Sequence, residues 1–194
     1  MSSPLKLSRN ELLSLLKSAF QGLYKHDQDF SAMAETVLWL EMHGFGGVEL
    51  LIGALGSDYD LPTCPAKLER TQAGYIFEGG GVSAIICAHN IADLMSTMVV
   101  QNTDAVMQIR GVTEPEALAV LPELCERQGV RIYPHHLPSH AHLLQPLSKA
   151  SRQTFNDNLQ NGIAIRRDHY DILSSIAARI LVESTEQSRR GAGE

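Results

Sequence analysis

Ala105-Val-Met-Gln-Ile109, Thr113-Glu-Pro-Glu116 and Val130-Arg-Ile-Tyr133 are the stretch that decides the fold class. The first piece reads as a strand. The second reads as a helix start, with Thr113 as cap, Glu116 as its capping-box partner and Pro115 in the first turn, where a missing N–H costs little. Leu118, Leu121, Leu124 and Cys125 then form a buried stripe, and Gly129 closes the helix. Pro122 falls inside this helix and should kink or interrupt it. Val130 to Tyr133 reads as a second strand. Strand, helix and strand at this spacing predict a parallel, right-handed βαβ unit.

Upstream, Ser8 and Glu11 form a capping box, and Leu12, Leu13, Leu15, Leu16, Phe20 and Leu23 follow at helical spacing, with Gly22 as a stop. Asp27 caps a second helix whose stripe is Phe30, Met33, Ala34, Val37, Leu38 and Leu40, ended by Gly44. Val48 to Leu55 is a third, short apolar segment. Two amphipathic helices on a short link predict an N-terminal helical pair. Residues 56 to 66 are loop. Tyr75 to Phe77 reads as a strand. Val82 to Ala88 is read as a strand followed by a helix capped by Asn90; the alternative is one long helix from Val82 to Val99.

Downstream of the βαβ unit come a histidine-rich loop over residues 134 to 142, a polar helix from Ser148 to Gln160, and a short strand at Ile163 to Ile165. A C-terminal amphipathic helix starts near Asp168, with Tyr170, Leu173, Ile176, Ala177, Ile180 and Leu181 as its stripe. The expected fold is therefore α/β or α+β: an N-terminal helical pair, a small mixed sheet with one βαβ unit, and a C-terminal amphipathic helix. The 194 residues are read as a single domain, with a helical part over 8–55, an α/β part over 67–183 and a tail over 184–194.

Bulk properties narrow the partners. Hydrophobic residues are 44% and charged residues 20%, a globular balance. The net charge of -6 argues against a nucleic-acid or anionic-membrane surface. Cys64, Cys87 and Cys125 are odd in number and dispersed, which predicts free thiols and no disulfide. The opening residues lack the pattern of a secretory signal, and no apolar stretch approaches the roughly 20 residues that span a bilayer. A cytoplasmic protein is expected.

Four of the eight histidines lie in Pro134-His-His-Leu-Pro-Ser-His-Ala-His142. Imidazole suits zinc, copper or nickel, so His136, His140 and His142 are candidate metal ligands. The run follows a strand of the predicted βαβ unit, where such folds place binding sites, so His135, His136 and His140 are candidate ligands for a small molecule. A solvated loop broken by Pro134 and Pro138 is the plainer reading. Gly79-Gly80-Gly81 is not a P-loop, and neither it nor Gly44-Phe-Gly-Gly47 is a G-x-G-x-x-G fingerprint; turn and close-packing roles are expected for both. No nicotinamide or other cofactor is expected. In the tail, Ser188 and Arg189 can make an arm for an anion, since guanidinium pairs well with carboxylate or phosphate.

The opening Leu7-Ser-Arg-Asn-Glu-Leu-Leu, the segment Val37-Leu-Trp-Leu-Glu-Met-His-Gly-Phe-Gly-Gly and the tail Ser-Thr-Glu-Gln-Ser-Arg-Arg-Gly-Ala-Gly resemble a family of bacterial proteins catalogued only as a domain of unknown function. The resemblance covers the two ends. It implies that Ser188, Arg189, Gly191 and Gly193 belong to a recurring pattern; separately, the anchored last helix, the tail glycines that let the backbone turn sharply and the reach of Arg189 predict a tail docked on the body or a neighbouring subunit. The layout of Met42-His-Gly-Phe-Gly-Gly47, Gly79-Gly-Gly81 and the βαβ unit is similar to the start of type 2 malate/lactate dehydrogenases. Those carry Ser-His-Gly where this chain has Glu41-Met42-His43-Gly44, so the likeness implies architecture and not nicotinamide chemistry. Two functions are expected in turn: a small-molecule enzyme or binding protein for an anionic metabolite, or a non-catalytic subunit or homo-oligomer derived from a reductase.

Overall fold

The computed structural model describes residues 4–24, 30–56, 61, 66–72, 74–101, 106–133 and 147–191, with backbone alone for Tyr24 and 180–191. In chain order the elements are β1 (Leu5–Leu7), α1 (Arg9–Tyr24), α2 (Phe30–Met42), α3 (Gly47–Ala54), β2 (Lys67–Thr71), β3 (Gly74–Glu78), α4 (Ala84–Gln101) and β4 (Met107–Arg110). A 3₁₀ turn over Pro115–Val120 runs into α5 (Leu121–Arg127), and α6 (Lys149–Asn161), β5 (Ile163–Ile165) and α7 (Arg167–Gly191) follow. The architecture is mixed helix and strand, as expected.

The N-terminal helices form where local chemistry calls for them. The Ser8 N–H donates to the Glu11 carboxylate at 2.7 Å and the Glu11 N–H to Ser8 Oγ at 3.3 Å, the reciprocal capping box that starts α1. Leu12, Leu16, Ala19 and Phe20 of α1 are fully buried. Gly22 does not end α1, which continues to Tyr24. A Cβ at Gly22 would lie 2.2 Å from the Ile176 carbonyl oxygen, so this glycine lets α7 approach α1 closely. Helix α2 packs on α1, α3 and α4, and its described part begins at Phe30. The expected cap, Asp27, lies outside the described residues.

The sheet contains one βαβ unit, but not the one the sequence pointed to. β2 and β3 pair antiparallel, with Leu68 opposite Phe77. β3 and β4 pair parallel, with Phe77 opposite Ile109. The crossover between the parallel strands is α4. Val82 to Ala88 is therefore no strand: Ala84 to Ala88 opens α4, and Asn90 is an exposed residue within it. The alternative long helix is the correct one. Ala84, Ile85, Cys87, Ala88, Ile91 and Ala92 are all buried, and a helix buried this widely shows an unbroken apolar run like that of a buried strand.

Val130 to Tyr133 forms no strand. The segment before it leads elsewhere: Ala117 to Leu121 is buried against α2 and α4, so the chain leaves β4 along the helical body and does not return to the sheet. Pro122 sits at the start of α5, where the 3₁₀ turn gives way to a short helix. The expected Thr113–Glu116 cap is absent. Thr113 instead bridges to Ser83, and Glu114 takes a left-handed conformation, φ 46, ahead of the turn.

The last third matches expectation up to its end. The Ser151 N–H donates to Ser148 Oγ at 3.0 Å and caps α6. β5 pairs antiparallel with β1, Leu5 opposite Ile165. Helix α7 buries Leu173 and Ile176 and packs on α1. It then runs on to Gly191, so residues 184–191, expected as a tail beyond the helix, continue it. Glu183 to Arg190 contain neither proline nor glycine, and nothing in that stretch stops a helix.

The buried side chains form one contiguous cluster from α1, α2, α3, α4, the 3₁₀ turn, α5, β5 and α7. Helix α4 is long and apolar enough to cross a bilayer by length and composition, but Ala84, Ile85, Cys87, Ala88, Ile91 and Ala92 lie in that cluster, as in a core helix.

Candidate functional site

The predicted site residues are not brought together by the described structure. His135, His136, His140 and His142 lie outside the described residues, and Ser188 and Arg189 fall on the last turns of α7, where the backbone alone is described. Among the described residues no group of three or more His, Cys, Asp or Glu is placed to hold a metal. Gly79-Gly80-Gly81 does lie between a parallel strand and its crossover helix, but its first and last N–H groups are engaged within the protein. The N–H groups of Gly79 and Gly81 donate to the Arg110 and Gly111 carbonyls at 2.8 and 2.6 Å, and that of Val82 to Gly79 at 3.1 Å. The run therefore ties two loops together, the turn and packing role expected of it. Cys87 is a core residue, and neighbouring His89 turns to the Thr36 hydroxyl, 3.2 Å from its Nδ1.

Chemistry gathers at the carboxyl end of α2. Glu35, Trp39 and His43 recur every fourth residue and share one stripe of the helix. The helix ends in a Schellman motif: the Phe45 N–H donates to the Leu40 carbonyl at 2.8 Å and the Gly44 N–H to that of Glu41 at 3.2 Å. Gly44 supplies the left-handed residue this turn requires, with φ 80. Phe45 stacks on Trp39, ring centroids 5.8 Å apart, which is the apolar contact that accompanies such an end. The Trp39 carbonyl accepts from the His43 N–H at 3.1 Å and bonds His43 Nδ1 at 2.8 Å.

That last bond sets the state of His43. A carbonyl only accepts, so Nδ1 carries the proton and Nε2 carries the lone pair. Burial holds the imidazole below its ordinary pKa, against the opposing pull of the Trp39 carbonyl and the Glu123 charge. His43 is 9% exposed, and its Nε2 has no hydrogen-bond partner among the described residues. The ring lies between Trp39, at 4.2 Å, and Phe155 of α6, at 4.9 Å.

Two neighbouring elements complete the site. From α5, Glu123 acts on His43 electrostatically and accepts from Arg127 Nε at 3.1 Å, while Arg127 Nη1 reaches Glu35 at 3.9 Å. These partly exposed pairs are worth under about 1 kcal/mol each and serve as a charged rim. From α6, Asn158 Nδ2 donates to the Met42 carbonyl at 3.1 Å, at the helix end, and at 3.3 Å to the Glu41 carbonyl, which also accepts from Gly44. Glu41 itself turns to α3, accepting from the Val48 N–H at 2.8 Å; burial raises its pKa. A neutral imidazole with a fixed tautomer, an open lone pair and a nearby carboxylate can accept a hydrogen bond or a proton. Glu123 then steadies the imidazolium.

A separate cleft of about 660 Å³ lies between α1 and α7, lined by Glu11, Ser14, Ser18, Tyr170, Ser174 and Ala177, among others. Its one carboxylate, Glu11, is already engaged at the start of α1, so the cleft is less suited to chemistry than His43. His43 lacks the preceding serine of a Ser-His-Gly motif, so that motif does not mark it. The usable signal was a histidine at a helix end with aromatic residues four before and two after, followed by Gly-Gly. No family model matches the chain, and neither a characterised protein nor a solved structure shows significant similarity to it.

Proposed function

We propose that this chain is a cytoplasmic small-molecule enzyme or binding protein whose site is the junction of α2, α5 and α6, with His43 Nε2 as the proton acceptor. The observation that carries this reading is a 9% exposed imidazole whose Nδ1 is committed to the Trp39 carbonyl and whose Nε2 is left over. Buried polar atoms are nearly always paired with protein or water, so a ring nitrogen without a protein partner is open to water or to a ligand that arrives from outside. The partner must present an O–H or N–H group. Glu35 and Glu123 stand beside the site, and Arg127 already contacts both. These surroundings favour a neutral or cationic ligand over the anionic metabolite expected from the tail arginine.

A thermal-shift screen of polar metabolites tests the assignment, because a ligand that binds only the folded state raises its melting temperature. The variant His43→Phe keeps the stacking and removes both nitrogens. A ligand found with the parent is expected to bind this variant about tenfold more weakly, the loss of roughly 1.4 kcal/mol from one hydrogen bond. Equal binding by both proteins sinks the assignment.

A second reading, a homo-oligomer, is favoured by the α1–α7 cleft. Gly22 near the end of α1 packs on Ile176, and α7 continues to Gly191, roughly 22 Å further at 1.5 Å per residue. The small side chains of the cleft leave room for a helix of a second copy. Light scattering is expected to give a dimer that the exposed change Ala178→Arg disperses; a monomer at high concentration removes this reading.

A further inference from the structure

We infer that α6 is the gate of the His43 site, and that ligand reaches Nε2 only when this helix lifts. The inference rests on the reading of His43 as the working group. The closed state is visible: Phe155 stacks on the imidazole at 4.9 Å, and only 9% of His43 meets solvent. Phe155 and Trp39 cover the ring of His43, so a ligand that seeks Nε2 meets an enclosed imidazole.

Helix α6 is attached in a way that permits lifting. None of its residues is buried. It is held by Phe155, by the two Asn158 bonds to the end of α2, and by Thr154 lying over Gly44. Its other side-chain bonds stay within the helix, Gln153 to Asp157 at 2.9 Å and Thr154 to the Ala150 carbonyl at 3.1 Å. No salt bridge among the described residues ties it to the body. At its carboxyl end, Gly162 has φ 81, a backbone state open to glycine, and β5 immediately beyond is anchored by buried Ile163 and Ile165. The helix thus meets a fixed strand through a single glycine, which is the arrangement of a hinge. Segments with few buried contacts are those that open locally while the core stays folded.

The gate is tested without any ligand, by the rate at which diethyl pyrocarbonate modifies the neutral imidazole of His43, followed by peptide mass spectrometry. In the parent, His43 is expected to react far more slowly than a free imidazole. Asn158→Ala and Phe155→Ala each weaken the closed state from the exposed side of the fold. Each is expected to speed the reaction at His43 by about tenfold, the effect of shifting the opening equilibrium by roughly 1.4 kcal/mol. His169, equally buried but on α7, reports general loosening and is expected to keep its parental rate. An unchanged His43 rate in both variants overturns the gate, as does a free-imidazole rate in the parent or a parallel acceleration of His169. Because no ligand is involved, the gate can stand while ligand binding that survives His43→Phe refutes the site, and the converse also holds.

Discussion

Raising the pH from 9 to 12 is expected to remove about 4 kcal/mol of folding stability through Cys87 alone, at about 1.4 kcal/mol per pH unit. Burial pushes the Cys87 thiol from 9.0 up to about 12. The unfolded chain loses this proton near pH 9 and the folded chain keeps it until about 12. Between those values the unfolded state binds fewer protons, so stability falls as the pH rises; below pH 9 the contribution is complete. Cys125, pushed up to about 11 by burial and by the Asp93 charge, adds roughly two-thirds as much over its narrower window. Both thiols are buried and free, while Cys64 lies outside the described residues. Other groups titrate in this range, so the readout is a difference. Urea unfolding of the parent and of Cys87→Ala across pH 8 to 12 is expected to give stability curves that converge as the parent loses its thiol advantage. Curves that stay parallel would mean that Cys87 ionises in the folded state, and that the tight packing around α4 is wrong.

The second large effect is steric. Gly22→Ala is expected to destabilise the protein by about 3 kcal/mol, the upper end of the usual range for overpacking. The added Cβ would sit 2.2 Å from the carbonyl oxygen of Ile176 and 3.0 Å from its carbon. Neither atom belongs to a flexible side chain, so α1 and α7 must separate. On helix propensity alone the same change would stabilise by about 1 kcal/mol, which makes the sign diagnostic. Gly53→Ala in α3 is the control. Nothing lies within 4 Å of its added Cβ, and a gain of roughly 0.5–1 kcal/mol is expected. Denaturant midpoints that move in the same direction for both variants would show that α1 and α7 are not packed this closely.

The Ser8–Glu11 box, the polar helix beginning near Ser148 and the short strand at Ile163 to Ile165 were legible because each is settled within a few residues by hydrogen bonds or side-chain period. The choice of partner for β4 was not. Val82 to Ala88 and Val130 to Tyr133 both carry apolar residues that suit a strand, and what separates them is the packing around each. Ala84 to Ala92 are taken into the core as a helix. Val130 follows a segment drawn onto α2 and α4, away from the sheet edge. The helix was extended through the tail for the opposite reason: nothing in Glu183 to Arg190 opposes it, and the glycines come too late.

His43 marks the boundary between the two kinds of information. Its place at the end of α2 follows from the neighbouring glycine, and the bond from Nδ1 to Trp39 follows from helical geometry four residues back. Its burial and its free Nε2 depend on α5 and α6; Asn158 is 117 positions from Glu41, whose carbonyl it meets. Local hydrogen bonding and periodicity thus determined the mixed helix–strand class, the starts of α1 and α6 and the end of α2. Only the tertiary structure decided which strands pair, why Gly22 must be glycine and which histidine is enclosed, because each depends on surfaces that meet after distant segments have folded.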